Sequence, residues 1–276
     1  MIEIDALGPD GEYRTRKREL ITDVAGAPVA ELSLVPPLYV ARTIKSQHKV
    51  RPLSPMDREA ALANAAGIFL TEEIAGLDFD RYVDVSSRVS GLPIAVTRAG
   101  ARSVADDVRA AFRSVRLAQP SGAVRGWRDT RGGGGAIWAR RAEVFAVHAS
   151  GNAPGIHGLW PQALALGYRV AVRPSRREPF TGQRLIIALR ESGFRAEDVV
   201  YLPTDYEGAD EIIGSADLAM VYGGQDVVDK YAGDPTVFVN GPGRAKIPIT
   251  ADRDWRDYLD TITDSVANLG GVACVN

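Results

Sequence analysis

Val144-Phe145-Ala146-Val147-His148, followed by Ala149-Ser150-Gly151-Asn152-Ala153-Pro154-Gly155, decides the fold. Five residues of near-continuous apolar character make a strand buried on both faces, and the Ser/Gly/Asn/Pro run behind it makes a turn. The pattern then repeats. A helix is expected from about Ile156 to Leu166, ended by Gly167, and Arg169-Val170-Ala171-Val172 is the second strand, broken by Pro174. A helix from Thr181 to Ser192 stops at Gly193, and Val199-Val200-Tyr201-Leu202 is the third strand. Leu218-Ala219-Met220-Val221-Tyr222, closed by Gly223-Gly224, is the fourth, and Thr236-Val237-Phe238-Val239 the fifth. A last helix from about Trp255 to Leu269 places Trp255, Leu259, Ile262, Val266 and Leu269 on one stripe. Apolar strands alternating with helices make a parallel sheet covered on both faces.

Upstream the pattern is less regular. Val29-Ala30-Glu31-Leu32-Ser33-Leu34 alternates as a half-buried strand does, with Gly11 and Gly26 as turns. Ser54-Pro55-Met56-Asp57 starts a helix, with Ser54 as N-cap and Pro55 in its first turn, running to about Leu70. A second helix is expected over Val104 to Val115. Gly132-Gly133-Gly134-Gly135 reads as a surface loop, since a phosphate loop needs a following Lys-Ser/Thr and Ala136-Ile137-Trp138 follows instead. The expected fold class is α/β, a Rossmann-like open parallel sheet with helices on both faces over residues 136–276. An N-terminal α/β extension occupies residues 1–135.

Composition narrows the function. Among 276 residues, 45% are apolar and 25% charged, as in ordinary globular proteins. A net charge of −2 gives no basic excess for a nucleic-acid backbone. No apolar run approaches the roughly 20 residues of a membrane span, and no signal pattern opens the chain, so a cytoplasmic protein is expected. One cysteine excludes an intramolecular disulfide, and three histidines make no zinc-ligand cluster, so no metal site is expected.

Ligands of open parallel sheets bind at the carboxyl ends of the strands. The turn after the first strand carries Asn152, and the turn after the second carries Arg173-Pro174-Ser175-Arg176-Arg177. Gly223-Gly224-Gln225-Asp226 follows the fourth strand, and Cys274 follows the last helix. Taken singly each has a plain structural role: Asn152 as a turn former, the arginines as a solvated face, Cys274 as a small buried residue. His148 and His157 read as packed or surface histidines rather than proton carriers.

The ordered set Ser150-Gly151-Asn152-Ala153-Pro154, Val170 through Pro179, Gly223 through Val227 and Gly271-Val272-Ala273-Cys274 resembles the aldehyde dehydrogenase superfamily. It is similar most of all to the fatty acyl-CoA reductase of bacterial luminescence and related carboxyl reductases. The resemblance covers Val144 to the C-terminus. It implies Cys274 as the nucleophile that takes up an acyl group, and Asn152 as the amide facing the developing oxyanion. It implies that Arg173, Arg176 and Arg177 hold the adenosine-ribose end of a nicotinamide cofactor and that Gly223 and Gly224 border its pyrophosphate. Ser175 and Gln225 complete the cofactor-binding set.

Two departures refine the expectation. Where most members have Lys and then an acid that binds the ribose, this chain has Arg173 and then Arg176-Arg177. Guanidinium groups bind a 2′-phosphate that a carboxylate repels, which favours NADP(H) over NAD(H). Where oxidising members carry a water-activating glutamate, the alignment puts Asn240, and no Asp or Glu lies between Asp234 and Asp252. An amide is no general base, so an acyl-cysteine is resolved by a thiol. The expected reaction is reduction of an acyl-CoA or acyl-carrier thioester to an aldehyde, with oxidation of an aldehyde to an acid as the alternative. The resemblance puts a large catalytic domain after the nucleophile, whereas this chain stops two residues after Cys274. The chain is therefore expected to be incomplete for catalysis, its catalytic domain missing or supplied by a partner chain, and a full-length form to be a homo-oligomer. A non-catalytic nucleotide-binding or scaffolding subunit of a split enzyme is the other alternative.

Overall fold

The computed structural model describes residues 1–124, 126, 128 and 135–271. The chain opens with five strands, β1 (Ile2–Ile4), β2 (Ala6–Gly8), β3 (Gly11–Tyr13), β4 (Arg18–Thr22) and β5 (Pro28–Ser33). Four helices follow, α1 (Pro37–Gln47), α2 (Pro55–Thr71), α3 (Phe79–Ser90) and α4 (Ile94–Leu117), then two short strands, β6 (Ala123–Val124) and β7 (Ala136–Ile137). The alternating half comprises β8 (Val144–His148), α5 (Pro161–Leu166), β9 (Arg169–Arg173), α6 (Phe180–Glu191), β10 (Val199–Tyr201), α7 (Tyr206–Ser215), β11 (Leu218–Tyr222), α8 (Gln225–Tyr231) and β12 (Val237–Asn240). Helix α9 (Leu259–Ala267) comes last, between two short 3-10 turns.

Seven strands form the central sheet in the order β12-β11-β8-β9-β10-β2-β3. The five from β8 to β12 run parallel, in the α/β arrangement that the apolar runs predict. The hairpin β2–β3 adds an antiparallel edge, with Leu7 opposite Tyr201. The Arg190 guanidinium fastens that edge, donating to the carbonyls of Val199 at 2.8 Å and Leu7 at 2.9 Å. A separate sheet, β1-β5-β4, is built wholly from the first 33 residues.

Side-chain alternation gives the sheet two apolar faces. Val147, Val170, Val172, Val199, Tyr201 and Met220 pack with residues of α2, α4, α5 and α6. Val144, Ala146, Ala171, Val200, Ala219 and Val221 pack with residues of α1 and α7. The first of these layers is tied by polar contacts as well. Arg184 of α6 donates to the carbonyls of Phe69, Glu72 and Leu77 at 2.7–2.8 Å, satisfying acceptors at and just beyond the end of α2.

Local signals account for several boundaries. Ser54 caps α2, its hydroxyl accepting the Asp57 N–H at 3.2 Å, and Gly167 closes α5 at φ 92°, where a side chain would be strained. Three expectations need correction. The helix over Ile156–Leu166 is instead a 3-10 turn, Pro154–Gly158, and the short α5, because Pro161 has no N–H to continue one helix. The helix at Val104–Val115 starts much earlier, at Ile94, following Pro93. The Trp255–Leu269 helix is α9 flanked by 3-10 turns, and the stripe is not buried: Trp255, Leu259 and Val266 are 49%, 46% and 64% exposed. Of the Gly132–Gly135 loop only Gly135 is among the described residues.

Candidate functional site

The parallel strands all end on one edge of the sheet, and the turns leaving them converge there. Ser150, Gly151 and Asn152 follow β8, and Ser175 and Arg177 follow β9. Tyr222 and Gly223 leave β11, and Asn240 through Gly243 leave β12. Together they line a cleft of about 460 Å³.

Close backbone packing shapes this cleft. A Cβ on Gly151 would stand 2.3 Å from Ser175 Oγ and 3.2 Å from Arg177 Cβ, so glycine is what lets the first two turns touch. A Cβ on Gly223 would stand 2.4 Å from Cγ2 of Val227, so glycine is what lets this turn pack against α8. The Ser150 hydroxyl donates to Asn152 Oδ1 and thereby orients the amide. Ser175 Oγ accepts the Arg177 N–H at 3.1 Å, which holds the second turn.

The polar groups at this edge are rich in donors. Arg173 Nε and Asn240 Nδ2 are buried without a hydrogen-bond partner among the described residues. Burial holds the Arg173 guanidinium below its ordinary value, and nearby Arg176 adds to the effect. Arg176 itself does not line the cleft: its Nη1 lies 2.9 Å from Glu19 Oε2, and its guanidinium sits 5.1 Å above the Tyr206 ring. Arg177 lines the cleft, is exposed, and has no ion pair among the described residues. No described lining residue is a carboxylate.

The remaining sequence-selected residues fall elsewhere. Gly224 caps α8 and Gln225 begins it, with Asp226 in the first turn, and none of the three lines the cleft. The Gln225 amide is engaged, its Oε1 accepting from Arg244 at 2.6 Å and its Nε2 donating to Asp229 at 2.8 Å. Cys274 lies outside the described residues. Two of the three histidines are buried: loss of solvation pulls His148 down to about 3 and His157 to about 4. His157 Nδ1 accepts the Trp160 indole N–H at 3.1 Å. Both are neutral near pH 7. Among the described residues no three His, Cys, Asp or Glu side chains form a metal-holding group, and no helix is long and apolar enough to cross a membrane.

Sequence reading missed Tyr222 as a lining residue and the part played by Glu19 and Tyr206. Tyr222 was legible as the last residue of its strand. Glu19 carries no such signal, because it lies 157 positions before Arg176 and meets it only in the folded chain.

No protein-family model matches the chain, and no curated protein matches it. Solved structures do. The chain superposes on an aldehyde dehydrogenase from Brucella melitensis biovar abortus with a TM-score of 0.80 at 15% identity, over 99% of this chain and 58% of that one. It has the fold of the matching part of an aldehyde dehydrogenase. An NADP-dependent glyceraldehyde-3-phosphate dehydrogenase from Bacillus halodurans, solved with NADP, aligns at TM-score 0.78 and 15% identity, over 96% of this chain and 58% of that one. An indole-3-acetaldehyde dehydrogenase from P. syringae, solved with NAD+, aligns at 0.80 and 17% identity, over 100% of this chain and 58% of that one. The chain thus spans somewhat more than half the length of these aldehyde dehydrogenases, and the neighbours include binders of either nucleotide.

Proposed function

We propose that this chain is the dinucleotide-binding part of an oxidoreductase that reduces an acyl thioester to an aldehyde with NADPH, through an acyl group carried on Cys274. The supporting observation is the strand-end cleft, where Asn152, Ser175, Arg177, Gly223 and Asn240 meet with no carboxylate among the described lining residues.

The residues present fit a nicotinamide dinucleotide. Gly151 and Gly223 let the strand-end turns pack closely around the cleft, the exposed Arg177 offers a guanidinium to a phosphate, and the Asn240 and Arg173 nitrogens, unpartnered among the described residues, seek acceptors. The bound nicotinamide supplies the hydride that converts an acyl group to an aldehyde. The protein's own part starts with Cys274, whose thiolate attacks the acyl carbon and expels the carrier thiol. Asn152, held by Ser150, donates an amide N–H to the oxygen that becomes negative in that addition. Asn240 cannot deprotonate water, so the acyl-cysteine is not hydrolysed by a base at that position.

The test uses the lone cysteine. The chain is incubated with a medium-chain acyl-CoA, and released thiol and intact mass are followed together. One acyl adduct per chain is expected, absent in Cys274→Ser and formed 10² to 10³ times more slowly in Asn152→Ala, the usual loss for one oxyanion donor. Only the acyl-transfer half-reaction is tested, and its two proposed groups, Cys274 and Asn152, both belong to this chain, so a chain that releases no thiol and gains no mass contradicts the proposal. A second reading, oxidation of an aldehyde to a free acid, is favoured by the names of the fold neighbours. Free-acid formation without an acceptor thiol would select it.

A further inference from the structure

A second cleft, of about 370 Å³, lies at the other end of the sheet. It is lined by the residues that lead into β8 and β9, among them Arg140, Arg141 and Tyr168, with Phe112 and Arg116 from α4. Because β8 and β9 are parallel five-residue strands, this cleft is separated from Asn152 and Ser175 by at least about 13 Å of strand. Nothing in the proposed reduction uses it.

Its chemistry has two parts. The floor is apolar and aromatic: Phe112 and Val115 are buried, and Trp138 and Tyr168 are half-buried. Four guanidiniums stand around that floor, those of Arg58, Arg116, Arg140 and Arg141, and no described lining residue is acidic. The nearby carboxylate, Glu143, is shared between Arg140, whose Nη2 lies 2.8 Å from its Oε2, and the buried Arg169. Arg58 spends its donors on the carbonyls of Leu53, at 2.6 Å, and Ala165, at 3.2 Å. The Arg116 and Arg141 guanidiniums have no hydrogen bond or ion pair among the described residues. Burial holds Arg58 below its ordinary value, and the charge of Arg140 adds to this, so cations have been gathered here against their mutual repulsion.

We propose that this cleft binds an organic anion, a planar apolar body with one phosphate or carboxylate head, the body lying on Trp138 and Phe112 and the head held by Arg116 and Arg141. Two unpartnered guanidiniums match the paired oxygens of such a head, and aromatic walls match a planar body. The volume is that of a small-molecule site. Its distance from the strand-end cleft makes the occupant a second ligand rather than a reactant.

The probe is 1-naphthyl phosphate, titrated into the full chain by calorimetry. One equivalent is expected to bind saturably, with 1-naphthol and inorganic phosphate each at least tenfold weaker, since each supplies half of the recognised chemistry. Comparison with 1-naphthoate assigns the head: tighter binding of either compound names phosphate or carboxylate. Arg116→Ala with Arg141→Ala is expected to weaken binding at least tenfold without lowering the melting temperature, because neither guanidinium has a partner among the described residues to lose. Arg116→Gln and Arg141→Gln singly, each losing severalfold, carry the same test. Arg177→Ala leaves binding unchanged. The proposal is overturned if no saturable binding occurs, if the arginine variants bind as tightly as the parent, or if Arg177→Ala abolishes binding.

Discussion

Arg176 Nη1 lies 2.9 Å from Glu19 Oε2, which ties the turn after β9 to β4 of the N-terminal sheet. Of the two adjacent arginines selected from the sequence, one is thus paired and stacked on Tyr206, while Arg177 stands exposed at the cleft. The pair is partly exposed, so its own contribution to stability is small, on the order of 1 kcal/mol or less. Its larger effect is electrostatic, because Glu19 places a negative charge where a phosphate dianion would gain from a positive one.

Removing that charge is expected to sharpen nucleotide preference. Glu19→Gln should tighten NADPH binding severalfold and leave NADH binding unchanged, with the gain shrinking as salt rises. Equilibrium titration of both nucleotides at two ionic strengths measures this. An equal effect on both nucleotides would show that Arg176 and Glu19 do not act on a 2′-phosphate.

Gly151 separates packing from chemistry. Gly151→Ala drives a Cβ into Ser175 Oγ and against Arg177 Cβ, so the second turn must move. The expected stability loss is that of modest overpacking, about 1–3 kcal/mol. Dinucleotide affinity should fall by more than tenfold, as the Ser175-to-Arg177 turn leaves its position. Thermal melting and nucleotide titration on the same sample check both parts. Unchanged affinity would place the nucleotide away from this turn.

Acid should destabilise the chain through its buried histidines. His148 and His157 are held at about 3 and about 4, against about 6.5 when unfolded. Between those limits the unfolded state binds more protons, so stability falls as the pH drops below 6.5. Each histidine contributes a slope of up to about 1.4 kcal/mol per pH unit. Glu178 acts oppositely: burial raises its carboxyl, so it favours the folded state less as pH rises above the usual carboxyl range. Urea melts at pH 7, 6 and 5 should therefore show a shallower slope in His148→Gln and in His157→Gln. A slope equal to the parent's in both variants would refute buried, neutral histidines.

What the sequence shows and what it hides follow the range of the interactions concerned. The Ser54–Pro55 start of α2 and the left-handed end of α5 at Gly167 are legible because cap and helix are adjacent in the chain. The five parallel strands are legible because burial on both faces demands unbroken apolar runs. The β2–β3 hairpin at the sheet edge is not, since Leu7 finds Tyr201 only through the folded chain. Helices α1, α3 and α7 also escaped, their short polar-rich sequences being stabilised mainly by the faces they bury. That Asn152, Ser175, Arg177 and Gly223 line one cleft is legible because all four sit at strand ends, whereas the engagement of Arg176 and Gln225 depends on Glu19 and Arg244, distant in sequence.

In the proposed function the strand-end cleft holds a nicotinamide dinucleotide whose 2′-phosphate Arg177 recognises. Titration of the chain with NADPH and with NADH, followed by nicotinamide fluorescence and repeated with Arg177→Ala, tests it most directly. Saturable NADPH binding is expected, tighter than NADH binding and at least tenfold weaker in the variant, the loss of one charge-assisted contact. Saturable binding of neither nucleotide, or equal binding of both that Arg177→Ala leaves untouched, would contradict it.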